Sequence, residues 1–307
     1  VIIPGKARPH SRRPTKAHPQ VLIIAHTDPR TSASRWAIDF FDMSEGEARS
    51  FELPFARVER LVRPVRVTNN RKAIRERWWQ YAEKRPGLRL AIKDLDFVLA
   101  LTRVSDTLMP ARVFADQLFS DRLTVFASDS HALLALLSSS AHAIWAIKYG
   151  TTHETRVTYS PTAVFETLPR PALTPSLSSM GSLLDERRSE IMARRDMGLT
   201  SLYSLINDPL VEDRADSDVA GMRAIHVTLD EAVMDAYGWS DIALDHGFHT
   251  YRQIQRWTVN PAARLEILDR LLEENHCRAT EEARQTPPTR SRGRRGKCAP
   301  DEQGTLL

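Results

Sequence analysis

With 307 residues, 42% of them apolar and 27% charged, the chain is long enough for two cored domains, and its composition is that of a globular protein rather than a disordered one. Its two cysteines, Cys277 and Cys298, give neither a disulfide framework nor a zinc-ligand spacing. No run reaches the roughly 18 apolar residues of a membrane span, and no signal-peptide order of segments is present, which reads as a cytoplasmic protein. Net charge is only +4, yet between Arg57 and Lys93 twelve basic residues face three acidic ones, Glu59, Glu76 and Glu83. Such a segment suits a polyanion, nucleic acid first, or else a well-solvated helical face.

Residues 1–33 form a basic arm with Lys6, Arg8, Arg12, Arg13 and Lys16 and a proline at every fifth position from Pro4 to Pro19. That spacing is incompatible with a helix and reads as disorder. Residues 34–94 read as a basic, helical connecting segment: Ser44 with Glu47 three residues on is a capping box for a short helix that Pro54 must bend or end, and Lys72 to Glu83 looks helical. Within it, RERWWQYAEKRPG (75–87) interleaves Trp78, Trp79 and Tyr81 with cations, as in a helix that buries aromatics and aims charge at phosphates. At least one of the tryptophans is expected to be simply core.

Residues 95–175 read as a small mixed α/β domain. Phe97 to Leu101 and Leu123 to Ala127 are strand-length apolar runs, Arg156 to Tyr159 alternates as a strand, and His131 to Tyr149 fits one long buried helix. Residues 176–279 read as a helical domain, with helices marked by Leu183, Leu184, Ile191 and Met192, by Val219 through Tyr237 at steps of three and four, and by Leu265 through Leu272 after Asn260 as cap and Pro261. From 280 to 307 a basic, proline-punctuated tail reads as disordered. The fold class expected is α+β.

Catalytic signatures are wanting. None of the 12 glycines stands in a G-x-G spacing, and no N-P-P-[YFW] tetrapeptide of the kind that holds a flipped base occurs. The serines, histidines and aspartates from Asp121 to His142 lack a nucleophile turn, so no catalytic residue is assigned. His246 and His249 could share a helical face as metal ligands, but with only acids nearby as third ligands, packing or capping is the better account and no metal is assigned.

Four stretches, SRWAIDFFDMSEGEA (34–48), NNRKAIRERWWQYAEKRPG (69–87), RVTYSPTAVFETLP (156–169) and LDHGFHTYRQIQRWTVNPAARLEILDRLLEENH (244–276), resemble successive blocks of the MmeI-type family of restriction-modification enzymes, type IIG or IIL. Those enzymes join a nuclease, an N6-adenine methyltransferase and a DNA target-recognition domain. The resemblance implies that residues from Leu95 to Pro171 are a target-recognition domain and those from Thr200 onward the helical C-terminal domain. It also implies that double-stranded DNA is a partner, and that methyl transfer from S-adenosylmethionine belongs to a separate methyltransferase and nuclease domain or subunit, no cofactor being held here. Phosphate contacts are expected from Arg71, Lys72, Arg75 and Arg77. Base contacts are expected from Arg103, Lys148, Thr151, His153 and Arg156, which flank the expected strands and the loop after the long helix. The first thirty residues and the tail after Thr280 fit no family block. The chain thus reads as a C-terminal part or separately encoded specificity module, the alternatives being a subunit of a split adenine methyltransferase or an inactive remnant.

Overall fold

The computed structural model describes residues 2–3, 20–24, 33–153, 156–251 and 254–285. It is α+β, with small sheets followed by a helix-rich half. The rest of the basic arm and the tail beyond Gln285 lie outside the described residues; Thr280 to Gln285 continue a helix.

A first, smaller core gathers at the N-terminal side. Strands β1 (Ile2–Ile3), β2 (Gln20–Ile24) and β3 (Ala33–Ile38) pair antiparallel in the order β1-β3-β2. Helix α1 (Glu45–Arg49) starts on the expected capping box, Ser44 Oγ accepting from the Glu47 amide and the Glu47 carboxylate from the Ser44 amide at 2.8 Å. Pro54 falls in the first turn of α2 (Glu52–Leu61), where a missing N–H leaves no hydrogen bond unmade. Helices α3 (Arg63–Arg66) and α4 (Lys72–Glu76) follow.

The helix expected from Lys72 to Glu83 stops at Glu76, so Trp78, Trp79 and Tyr81 are not helical. Neighbouring positions on a helix point about 100° apart, whereas Trp78 packs on Phe55 and Trp79 donates through Nε1 to the Met43 carbonyl at 2.9 Å. Gln80 donates to the same carbonyl at 2.8 Å. Arg66 takes the carbonyls of Trp78 and Gln80, acceptors that a continuing helix would have used. Tertiary burial outweighs local propensity here.

After α5 (Pro86–Ala91) a second core begins at Ile92 and runs without interruption to Leu271. Its central strand is β4 (Phe97–Thr102), buried on both faces from Val98 to Leu101. A two-residue strand, β5 (Val104–Ser105), follows; β6 (Ala111–Phe114) and β7 (Leu123–Phe126) flank β4 antiparallel.

The single helix expected over His131 to Tyr149 is two: α6 (His131–Ser138) and α7 (Ser140–Tyr149), divided by an extended Ser139. Ser139 donates to the Leu136 carbonyl at 2.7 Å and accepts from the His142 amide, ending one helix and capping the next. Strands β8 (Thr151–His153) and β9 (Arg156–Thr158) then join β5 in a second sheet, order β5-β9-β8. A π-helical turn spans Pro161–Phe165.

The helix-rich half comprises α8 (Pro175–Arg195), α9 (Leu199–Ile206), α10 (Ser217–Tyr237), a hairpin of β10 (Gly247–Tyr251) and β11 (Ile254–Thr258), and α11 (Pro261–Gln285). Thr174, Asp216 and Asn260 cap α8, α10 and α11 through their side-chain oxygens. Helix α8 sends Leu177, Leu184 and Ile191 into the same core as β4, so one core spans both sides of residue 175. It lies against α6 so closely that a Cβ on Gly181 would stand 1.9 Å from the His131 carbonyl oxygen. No described helix is long and apolar enough to cross a membrane.

Candidate nucleic-acid interface

The β5-β9-β8 sheet collects most of the expected base-contacting residues. Register pairs Thr151 with Thr158 and His153 with Arg156, so the alternation of strands sets Thr151, Arg156 and Thr158 on one face, with Val157 buried on the other. Thr151 and Arg156 are exposed, as is Lys148 in the last turn of α7; for His153 the backbone position alone is described. Arg103 sits where the two sheets meet. Its amide donates to the Arg122 carbonyl at 2.8 Å and its carbonyl accepts from the Tyr159 amide at 2.6 Å, which fixes the backbone while the side chain stays exposed.

Arg103 also lines a broad cleft of about 850 Å³ together with Arg85 and Arg170, Asp121 being the one acid among its lining residues. Arg85 stands in a left-handed conformation (φ 49°) ahead of α5 and donates to the Ser120 carbonyl at 3.3 Å. Arg170, between Pro169 and Pro171, lies over the Phe165 ring, and its carbonyl is held by Arg278 of α11 at 2.9 Å. Neither Arg85 nor Arg170 was expected as a site residue; each precedes a proline, but so does Arg63, which pairs with Glu59 instead, so the sequence carries no specific signal for either.

Many arginines of the helix-rich half are ion-paired. Arg187, Arg194, Arg195, Arg223 and Arg270 each meet a carboxylate. The Arg195 guanidinium, donating to Asp216, holds that carboxyl down at about 2. Arg103, Arg122, Lys148, Arg156 and Arg170 are exposed and enter no ion pair among the described residues. Cations left without a local carboxylate remain available to an external anion.

The expected phosphate contacts occupy α4 and its ends, a helix with no buried residue. Arg71 and Arg77 are exposed at the two caps of α4, and Lys72 lies 3.7 Å from Glu76. Arg75 donates to the carbonyls of Asn69 and Asn70 at 2.8 and 3.0 Å, so part of its hydrogen-bonding capacity shapes the preceding loop.

Two histidines carry strongly shifted pKa values, but their geometry is that of packing. His142 Nδ1–H donates to the Leu137 carbonyl at 2.7 Å and Nε2 accepts from the Tyr159 hydroxyl at 3.0 Å. Burial depresses it to about 4. His226, bonded to the Tyr203 hydroxyl at 2.8 Å, is likewise lowered to about 4 by burial. His246 precedes β10 and is buried against Asp230 at 2.8 Å, and His249 is in the strand, so the two share no helical face. No group of three potential ligands suitable for a metal occurs among the described residues.

No family model matches the chain, and no curated protein matches it. Among solved structures, its fold is similar to that of MmeI, a type IIL restriction-modification enzyme determined in complex with DNA, with a TM-score of 0.55 and 18% sequence identity over 85% of this chain and 31% of that one. At that identity the likeness is one of fold. The chain spans 31% of the length of that enzyme.

Proposed function

We propose that the chain is a sequence-specific double-stranded DNA recognition module of a restriction-modification system, working with a methyltransferase and nuclease domain or subunit that modifies adenine at N6. The observation that carries this reading is the set of exposed, unpaired cations on and beside the β5-β9-β8 sheet, in a fold similar to one determined with DNA. In this reading Arg103, expected as a base contact, joins Arg85 and Arg170 in meeting phosphates along the cleft, Arg71, Lys72 and Arg77 meet phosphates at α4 while Arg75 holds the preceding loop, and Lys148, Thr151, His153 and Arg156 reach base edges.

S-adenosylmethionine is assigned to the catalytic partner. The β7–α6 junction supports that assignment: Ala127 to Ser130 form a serine-capped turn with no glycine to let a nucleotide approach the backbone. No step of methyl transfer is placed on this chain. Selection of bound duplexes from a random pool at moderate salt, followed by sequencing, tests the reading. Enrichment of one short motif is the expected result, and retention of DNA without any enrichment contradicts a recognition role.

A further inference from the structure

Behind the β5-β9-β8 sheet, on the side of Val157 rather than Arg156, a cavity of about 120 Å³ lies between α7, α9, α10 and the β10–β11 hairpin. Most of its wall is hydrocarbon, supplied among others by Leu108, Met109, Ile144, Ile147 and Ile206. An apolar cavity of roughly 150 Å³ accommodates a benzene ring, so this one, somewhat smaller, is sized for a branched aliphatic group or at most a single ring.

The hairpin end is different, because donors there lack acceptors. Trp257 Nε1 and Arg264 Nη1 are buried with no hydrogen-bond partner among the described residues. Arg256 enters no ion pair among them; Asp106 acts on it only at longer range, and burial lowers its pKa. The other lining carboxylate, Asp230, is already engaged by the Ser140 amide and hydroxyl and by His246, at 2.7, 2.6 and 2.8 Å. Buried donors without acceptors are uncommon in folded proteins and call for a partner.

We propose that this cavity is a binding site for a small monocarboxylate, its ring or branched hydrocarbon set against Ile144, Ile147 and Met109 and its carboxylate received by Arg256. A planar carboxylate matches the two-pronged guanidinium, and the nearby charge of Asp106 disfavours a doubly charged phosphate. The site uses none of the residues assigned to DNA.

Calorimetric titration of the full chain with benzoate and 3-methylbutanoate, and with benzyl alcohol as neutral comparator, tests the assignment. At least one of the two acids should saturate a single site and bind at least tenfold more tightly than benzyl alcohol. R256Q should weaken the acid at least tenfold while leaving benzyl alcohol unchanged, and A143L, which fills the cavity from α7, should abolish binding of all three. Failure of both acids to bind overturns the proposal, as does equal binding of acid and alcohol, or acid binding indifferent to both substitutions. No readout involves DNA, so the result is independent of the recognition reading.

Discussion

The Asp230 carboxylate accepts both the backbone amide and the hydroxyl of Ser140, at 2.7 and 2.6 Å, across 90 residues of sequence. This contact ties the N-terminus of α7, which leads into β8, to the middle of α10, and places a carboxylate where the helix dipole favours negative charge. His246 completes the arrangement from the loop before the hairpin. Asp230→Ala leaves three partly buried groups without their acceptor and is expected to cost about 3 kcal/mol. Ser140→Ala, which keeps the amide contact, should cost about 1 kcal/mol. Urea denaturation of the two variants checks the order; equal effects would contradict the account of the amide contact.

Stability should fall with acid in a defined window. His142 and His226 are held at about 4 in the folded chain against an ordinary value of 6.5, in both cases chiefly by burial. Between those values the unfolded chain binds more protons, so folding stability is full above about pH 6.5 and declines as the pH falls toward 4. Each histidine can contribute on the order of 3 kcal/mol to that decline. Denaturation midpoints measured from pH 7.5 to 4.5 should follow this course, and His142→Gln should remove about half of the slope even if it lowers stability throughout.

Gly181 controls the approach of α8 to α6. Because the obstructing atom is the backbone oxygen of His131, 1.9 Å from where a Cβ would stand, no rotamer change relieves an alanine there. Gly181→Ala should destabilise the protein by about 2 kcal/mol, despite alanine's better helix propensity. Thermal unfolding checks it, and a rise in Tm would show that the two helices separate freely.

Phosphate and base contacts should differ in kind. Arg71→Ala with Arg77→Ala should weaken binding to every duplex to a similar extent. Arg156→Ala should relax preference at one or two positions of the selected motif, at a cost of about 1–3 kcal/mol for the favoured sequence. Competition with duplexes of altered sequence separates the two effects.

Much of this arrangement was legible where local chemistry is decisive. The Ser44–Glu47 capping box, the Asn260–Pro261 helix start and the apolar period of α10 all depend on residues within one or two turns. The break at Trp78 to Gln80 was hidden because its causes, Met43 and Arg66, are distant in sequence; that at Ser139 is made by the serine's own bonds to Leu136 and His142, which an apolar period does not register, and is reinforced from afar by Asp230 on Ser140. The hairpin at Gly247–Tyr251 and Ile254–Thr258 fell within a stretch expected to be helical, although its aromatic and β-branched residues favour strand. At the candidate interface, Arg103, Thr151 and Arg156 could be named from their positions beside strands, whereas the cleft uniting Arg103 with Arg85 and Arg170 arises from packing of three separate segments.

The most direct test of DNA recognition at this face is the salt dependence of duplex binding, followed by fluorescence anisotropy for the unaltered chain and for the Arg85→Ala, Arg103→Ala, Arg170→Ala triple variant. The plot of log affinity against log salt should be steep for the unaltered chain and shallower in the variant by about 0.9 for each of the three arginines that meets a phosphate. Identical slopes and affinities for the two proteins would contradict the assignment of the cleft to DNA.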